Sequence, residues 1–135
     1  MFERYTEQAR RAIFFARCEA VRFGKQEIEV THLLHGLAYE WPELKQKLEL
    51  ALVDSWADEL ERLRERPLTR EIPIGESVKK VFRYAIEFSE AEGSDWITTA
   101  HLLRGVARCD PGSAELLGQA GISPQQISSP DSKRS

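Results

Sequence analysis

The feature that most limits what this chain can fold into is an internal duplication. Thr31-His-Leu-Leu-His-Gly-Leu-Ala38 returns as Ala100-His-Leu-Leu-Arg-Gly-Val-Ala107, an offset of 101 − 32 = 69 residues. The offset holds without a gap from Tyr5 to Tyr39, so that Glu7 falls on Glu76, Ala16 on Ala85, Gly24 on Gly93 and Ile28 on Ile97. The basic pair Arg10-Arg11 falls on Lys79-Lys80. Aligned glycines, histidines and basic pairs together exclude coincidence. A tandem supersecondary unit buries its apolar face against its copy. With 135 residues, the two copies make up one domain-sized chain, long enough for a single core.

Each copy opens with an amphipathic helix. Thr6 can N-cap the first, its hydroxyl accepting from a free first-turn N–H. Ala9, Ala12, Ile13, Ala16, Ala20 and Phe23 then follow one stripe of the 3.6-residue period, and Gly24 supplies the left-handed stop. Val78, Val81, Phe82 and Ala85 repeat the stripe, and Gly93 the stop. A second helix is predicted over 31–40, with Leu33, Leu34 and Leu37 inward and a counterpart over 99–108. Pro42 suits the first position of a third, running from Glu43 to about Leu52. Asp54 or Ser55 caps a fourth with Trp56, Leu60 and Leu63 on one stripe, and Ser113 to Ala120 forms a seventh that stops at Gly121. Ser123-Pro124 starts another, which only Gln125, Gln126 and Ile127 continue, so the second copy lacks most of its last helix. The organisation is therefore repeat one over about 1–66, a Pro-containing linker over 67–75, repeat two over about 76–127, and a polar tail over 128–135 that reads as disordered.

A net charge of −3, with acids and bases interspersed, argues against a nucleic-acid partner, which calls for a basic footprint. There is no apolar run of membrane-spanning length and no signal-peptide core, and Cys18 and Cys109 are far apart, so the chain reads as a cytoplasmic monomer with two reduced thiols.

The Met1-Phe-Glu-Arg-Tyr-Thr-Glu-Gln-Ala-Arg-Arg11 opening and the two His-Leu-Leu-x-Gly motifs, His32–Gly36 and His101–Gly105, resemble the Clp N-terminal repeat domain that heads the ClpA/ClpC-type AAA+ unfoldases. The resemblance covers about residues 1–127. It implies an all-α, compact bundle of about seven to eight helices from two tandem pseudo-two-fold repeats. It also implies a protein-binding role: recognition of peptides, substrates or adaptors of a Clp unfoldase–protease. The sequence contains no Gly-x-x-x-x-Gly-Lys-[Ser/Thr] phosphate loop, so the domain reads as free-standing and without a cofactor. A Gly-Thr-Glu-His run usually leads into each second helix of the family, and some members read phosphoarginine through that glutamate. Thr31 and Ala100 stand in its place, which implies weak binding of such marks.

Rival chemistries carry less. Glu29-x-x-His32 has the carboxylate–histidine spacing of di-iron bundles, but the duplicate has Thr98 where the second carboxylate belongs. The two histidines read instead as hydrogen-bonders at helix starts. No nucleophile elbow or Cys-His signature marks a catalytic residue, which leaves a small helical-bundle enzyme as the remote reading. A decoy that sequesters ligands without touching an unfoldase is the nearer alternative.

One feature of the first helix falls outside this economy of core and cap. At 100° per residue, Phe14 lies about 140° and Val21 about 120° from the core stripe, beside Arg10 and Arg17. These apolar groups either pack on another part of the bundle or form a partner-binding face rimmed by charge. Phe2, Ile74 and Lys79 join that candidate face by resemblance, since the family places binding contacts near the starts of both long helices.

Overall fold

The structure, a computed structural model, describes residues 3–48, 72–127 and 129–131. The described residues form six helices: α1 (Glu7–Arg22), α2 (Val30–Glu40), α3 (Pro42–Leu48), α4 (Glu76–Ala91), α5 (Thr99–Cys109) and α6 (Pro111–Gln119). This is slightly below the seven to eight expected. The predicted helix around Trp56, Leu60 and Leu63 and most of the 67–75 linker lie outside the described residues, as does Phe2. None of the described helices is long and apolar enough to cross a membrane.

Local chemistry sets the helix ends. The Thr6 hydroxyl accepts from the Ala9 N–H at 3.1 Å to open α1, and Gly24 follows its end at φ 65°, with Gly93 repeating that turn at φ 69° after α4. α6 starts two residues before the expected Ser113. Asp110 caps it, accepting from the Ser113 N–H at 3.2 Å, and Pro111 takes the first turn, where a missing N–H costs nothing. Ser123-Pro124 opens only a turn, in which the Gln126 and Ile127 N–H groups both donate to the Ser123 carbonyl at 3.0 Å.

The His-Leu-Leu-x-Gly motif acquires a physical meaning here. In each copy the histidine Nδ1 accepts from the N-cap backbone N–H: Glu29 to His32 at 2.9 Å, and Thr98 to His101 at 3.0 Å. This is a capping box with imidazole in the place usually held by glutamate. The leucines fill the core, where Leu33, Leu37, Leu102 and Leu103 are fully buried at roughly 1.5–3 kcal/mol each. The glycine lets two helices cross closely. A Cβ on Gly36 would lie 2.0 Å from the Ala12 carbonyl oxygen, and one on Gly105 would lie 2.8 Å from that of Val81. Since 12 + 69 = 81, the same crossing is built twice.

The copies are tied by a reciprocal pair of parallel bridges, Tyr5 with Ile97 and Ile28 with Ile74. The offset maps one bridge onto the other (5 + 69 = 74, 28 + 69 = 97), so each copy's opening segment pairs with the loop before the other's second helix. The hydrogen bonds match: Thr6 N–H to Ile97 O at 3.0 Å, and Gly75 N–H to Ile28 O at 3.0 Å. This reciprocity is the pseudo-two-fold of the bundle, and it places the 72–74 segment against the flank of α1.

Candidate binding groove

A groove of about 590 Å³ runs between α1 and the segment that carries the second bridge. From α1 it takes Arg10, Ile13, Phe14 and Arg17, which the helical period sets on one side of the helix. Ile28, Ile72, Pro73 and Ile74 form the opposite wall. Phe14 is 45% exposed, its ring edge-on to Phe15 at 5.6 Å, while Arg10 is exposed and Arg17 half-buried. The groove is thus an apolar trough with a guanidinium at either end of the phenylalanine.

Of the residues singled out in the sequence, the structure brings Arg10, Phe14, Arg17 and Ile74 together here. Val21 is half-buried on α1 and does not line the groove. Lys79 is exposed on α4, 3.2 Å from Glu76, and lies apart from it as well. Ile13, Ile28, Ile72 and Pro73 were not anticipated as lining. Ile13 and Ile28 were legible as apolar, but only the reciprocal bridge turns the second wall toward α1.

A second cleft, about 320 Å³, opens where α4 starts beside the start of α2. Glu27, Glu29, Glu76 and Asp110 line it together with Thr31 and Gly75. Glu29 and His32 do not form a ligand pair, because His32 spends its Nδ1 on the cap. Among the described residues no group of three or more His, Cys, Asp or Glu side chains could hold a metal ion.

One acid lies buried between the helices of the first hairpin. Glu19 is fully buried; Tyr39 donates to its Oε1 at 2.8 Å, and His35 Nδ1 stands 3.6 Å from its Oε2, beyond hydrogen-bond reach. Burial works to raise the Glu19 carboxyl, but His35 and Tyr39 outweigh it and hold the group below its ordinary value. Burial pushes the Cys18 thiol up to about 11, the opposite of what a nucleophile requires.

Helices paired by duplicated motifs, with reciprocal bridges between the copies, define a tandem-repeat, all-helical domain. The model of the Clp repeat (R) N-terminal domain matches residues 4–120, and the chain belongs to that family. It is 30% identical to chaperone protein ClpD1, chloroplastic, of Oryza sativa subsp. japonica over 96% of this chain and 15% of that protein. It is also 30% identical to the negative regulator of genetic competence ClpC/MecB of Bacillus subtilis, over 91% of this chain and 16% of that one. The chain thus spans about 15% of the length of such relatives. The crystal structure of the N-terminal domain of the chaperone ClpD from Arabidopsis thaliana superposes with a TM-score of 0.65 at 29% identity, covering 93% of this chain and 90% of that one.

Proposed function

We propose that this domain is a protein-binding module that takes peptide segments of substrates or adaptors of a Clp unfoldase–protease, and that the α1 groove is where it holds them. The observation that carries the reading is Phe14, 45% exposed in an apolar trough between Arg10 and Arg17. An apolar anchor on the ligand enters beside Phe14, and the arginines attract acidic residues flanking it. The groove contributes recognition: among its described lining residues there is neither a nucleophile nor a general base.

The test is Phe14→Ala, read by thermal melting and by fluorescence polarisation of a labelled peptide with one leucine or phenylalanine among aspartates. The expected outcome is a loss of about 1–3 kcal/mol in binding with little change in melting temperature, since an exposed ring leaves no cavity. Arg10→Glu should slow association and flatten its salt dependence. Peptide binding that is unchanged in Phe14→Ala would remove the groove from the account.

A further inference from the structure

On another part of the molecule, the N-termini of α1 and α5 converge, and a side chain of the tail occupies the point where they meet. Thr6, the N-cap of α1, and Thr99, the first residue of α5, are both buried, at 1% and 0% exposure. The Asp131 carboxylate sits between them. The Thr99 N–H donates to its two oxygens at 3.2 and 3.1 Å, and the Thr6 and Thr99 hydroxyls donate to it as well. Ser129 completes the contact: its hydroxyl also meets that carboxylate and lies 3.1 Å from the Thr99 hydroxyl, and it accepts from the Asp131 N–H at 3.2 Å.

Each of these groups requires a partner. The Thr99 N–H is one of the first-turn donors that an α-helix cannot satisfy internally. The Thr6 hydroxyl already accepts from Ala9, so its proton is left for a second acceptor, and buried hydroxyl protons are rarely left unbonded. A carboxylate answers all three donors at once and complements the positive ends of both helices.

The equivalent cleft in the other copy shows that this is not a general property of the fold. Subtracting or adding 69 places Val30 at the Thr99 position and Gly75 at the Thr6 position, so both hydroxyls are missing. That cleft is lined by Glu27, Glu29, Glu76 and Asp110 and repels an anion. Only one of the two pseudo-equivalent clefts is built for a carboxylate.

We infer that residues 129–131 are a cis-acting strap: Asp131 shuts the cleft between the starts of α1 and α5, and a carboxylate presented by another chain can enter only when the strap is displaced. The strap shares no residue with the α1 groove and does not depend on what that groove binds. A tether this short gives Asp131 a local concentration in roughly the millimolar range, so an outside carboxylate competes at a handicap that a single substitution removes.

The experiment uses the full 135-residue chain. In Asp131→Ala, hydrogen exchange at the Thr99 amide should quicken by about tenfold or more, with its NMR resonance shifted, while the melting temperature shows the chain still folded. The end-blocked peptide Ser-Ser-Pro-Asp-Ser-Lys, copying residues 128–133, should then shift the Thr6 and Thr99 amides of Asp131→Ala at concentrations at least about tenfold lower than in the unsubstituted chain. The same peptide with Asp replaced by Ala should shift neither. The inference is overturned if Thr99 exchange is the same in both chains, if the peptide acts on both alike, or if it leaves Asp131→Ala untouched at about 10 mM.

Discussion

The two repeats share a backbone plan and differ in how it is filled, and the contrast is sharpest at the flank of the first helix of each copy. In repeat one, Ile13 and Ile74 are half-buried and leave the trough beside Phe14. The offset maps them onto Phe82 and Tyr5, which are buried at 5% and 3% and meet edge-on at 6.1 Å. Two aliphatic side chains leave a groove where two aromatic ones close over the equivalent position. Phe14 itself maps onto Arg83, so repeat two also lacks the exposed ring. Duplication supplied the scaffold twice, and side-chain size made one flank into core and left the other open.

The same divergence runs between the helices of each hairpin. Repeat one buries Glu19 with Tyr39 and His35, whereas the equivalent trio in repeat two is Phe88, Arg108 and Arg104. There Arg108 lies over the Tyr84 ring at 4.4 Å and the Phe88 ring at 6.0 Å, a cation–π stack at the place of a buried acid. His101 adds a bond to Glu92 at 2.8 Å, and Arg104 also pairs with that carboxylate; in repeat one the Glu92 position is the exposed Phe23.

These differences rank the expected effects of substitution. Gly36→Ala should be the most damaging, costing about 3 kcal/mol or more, because its Cβ would meet the backbone of Ala12 at 2.0 Å. Gly105→Ala, with 2.8 Å to Val81, should cost less, about 1–3 kcal/mol. Chemical denaturation of both variants checks the order, and equal losses would mean that the two crossings are equally tight. Tyr39→Phe should follow at about 1.5–3 kcal/mol, since it removes a hydrogen bond to a buried charge, and its effect should fade in acid as Glu19 protonates.

The smallest effect is one of pH. Burial holds His32 below the ordinary histidine value, so the unfolded chain binds its proton more readily than the folded one does. The contribution to stability is therefore complete above about pH 6.5 and declines as pH falls from there toward the lowered value. Melting curves between about pH 7.5 and 5.5 should show this decline, and His32→Gln should reduce its slope.

Much of this architecture was legible because it is written twice. One offset located the His-Leu-Leu-x-Gly hairpins, the glycine stops and the α1 stripe, and the periodicity of α1 alone put Phe14 and Arg10 on a face away from the core. What the pattern could not supply was any contact between segments distant in the chain. Ile72 and Pro73 join the groove only because Ile28 and Ile74 bridge across the pseudo-two-fold. Val21 shares the angular sector of Phe14 but sits two turns along, beyond the end of that wall. Nor does a polar composition that reads as disorder reveal that Asp131 fits two helix starts, because that fit depends on where Thr6 and Thr99 meet in space.

One copy's flank is an open groove and the other's is closed by its own aromatic pair, and transplanting the closure tests the proposed binding role most directly. The double substitution Ile13→Phe with Ile74→Tyr installs the side chains of repeat two in repeat one. Titration of the labelled acidic-apolar peptide against this variant, with its melting temperature as a control for folding, should show binding weakened by about tenfold or more while the fold persists. Undiminished binding by a folded double variant would contradict the account and move the site off α1.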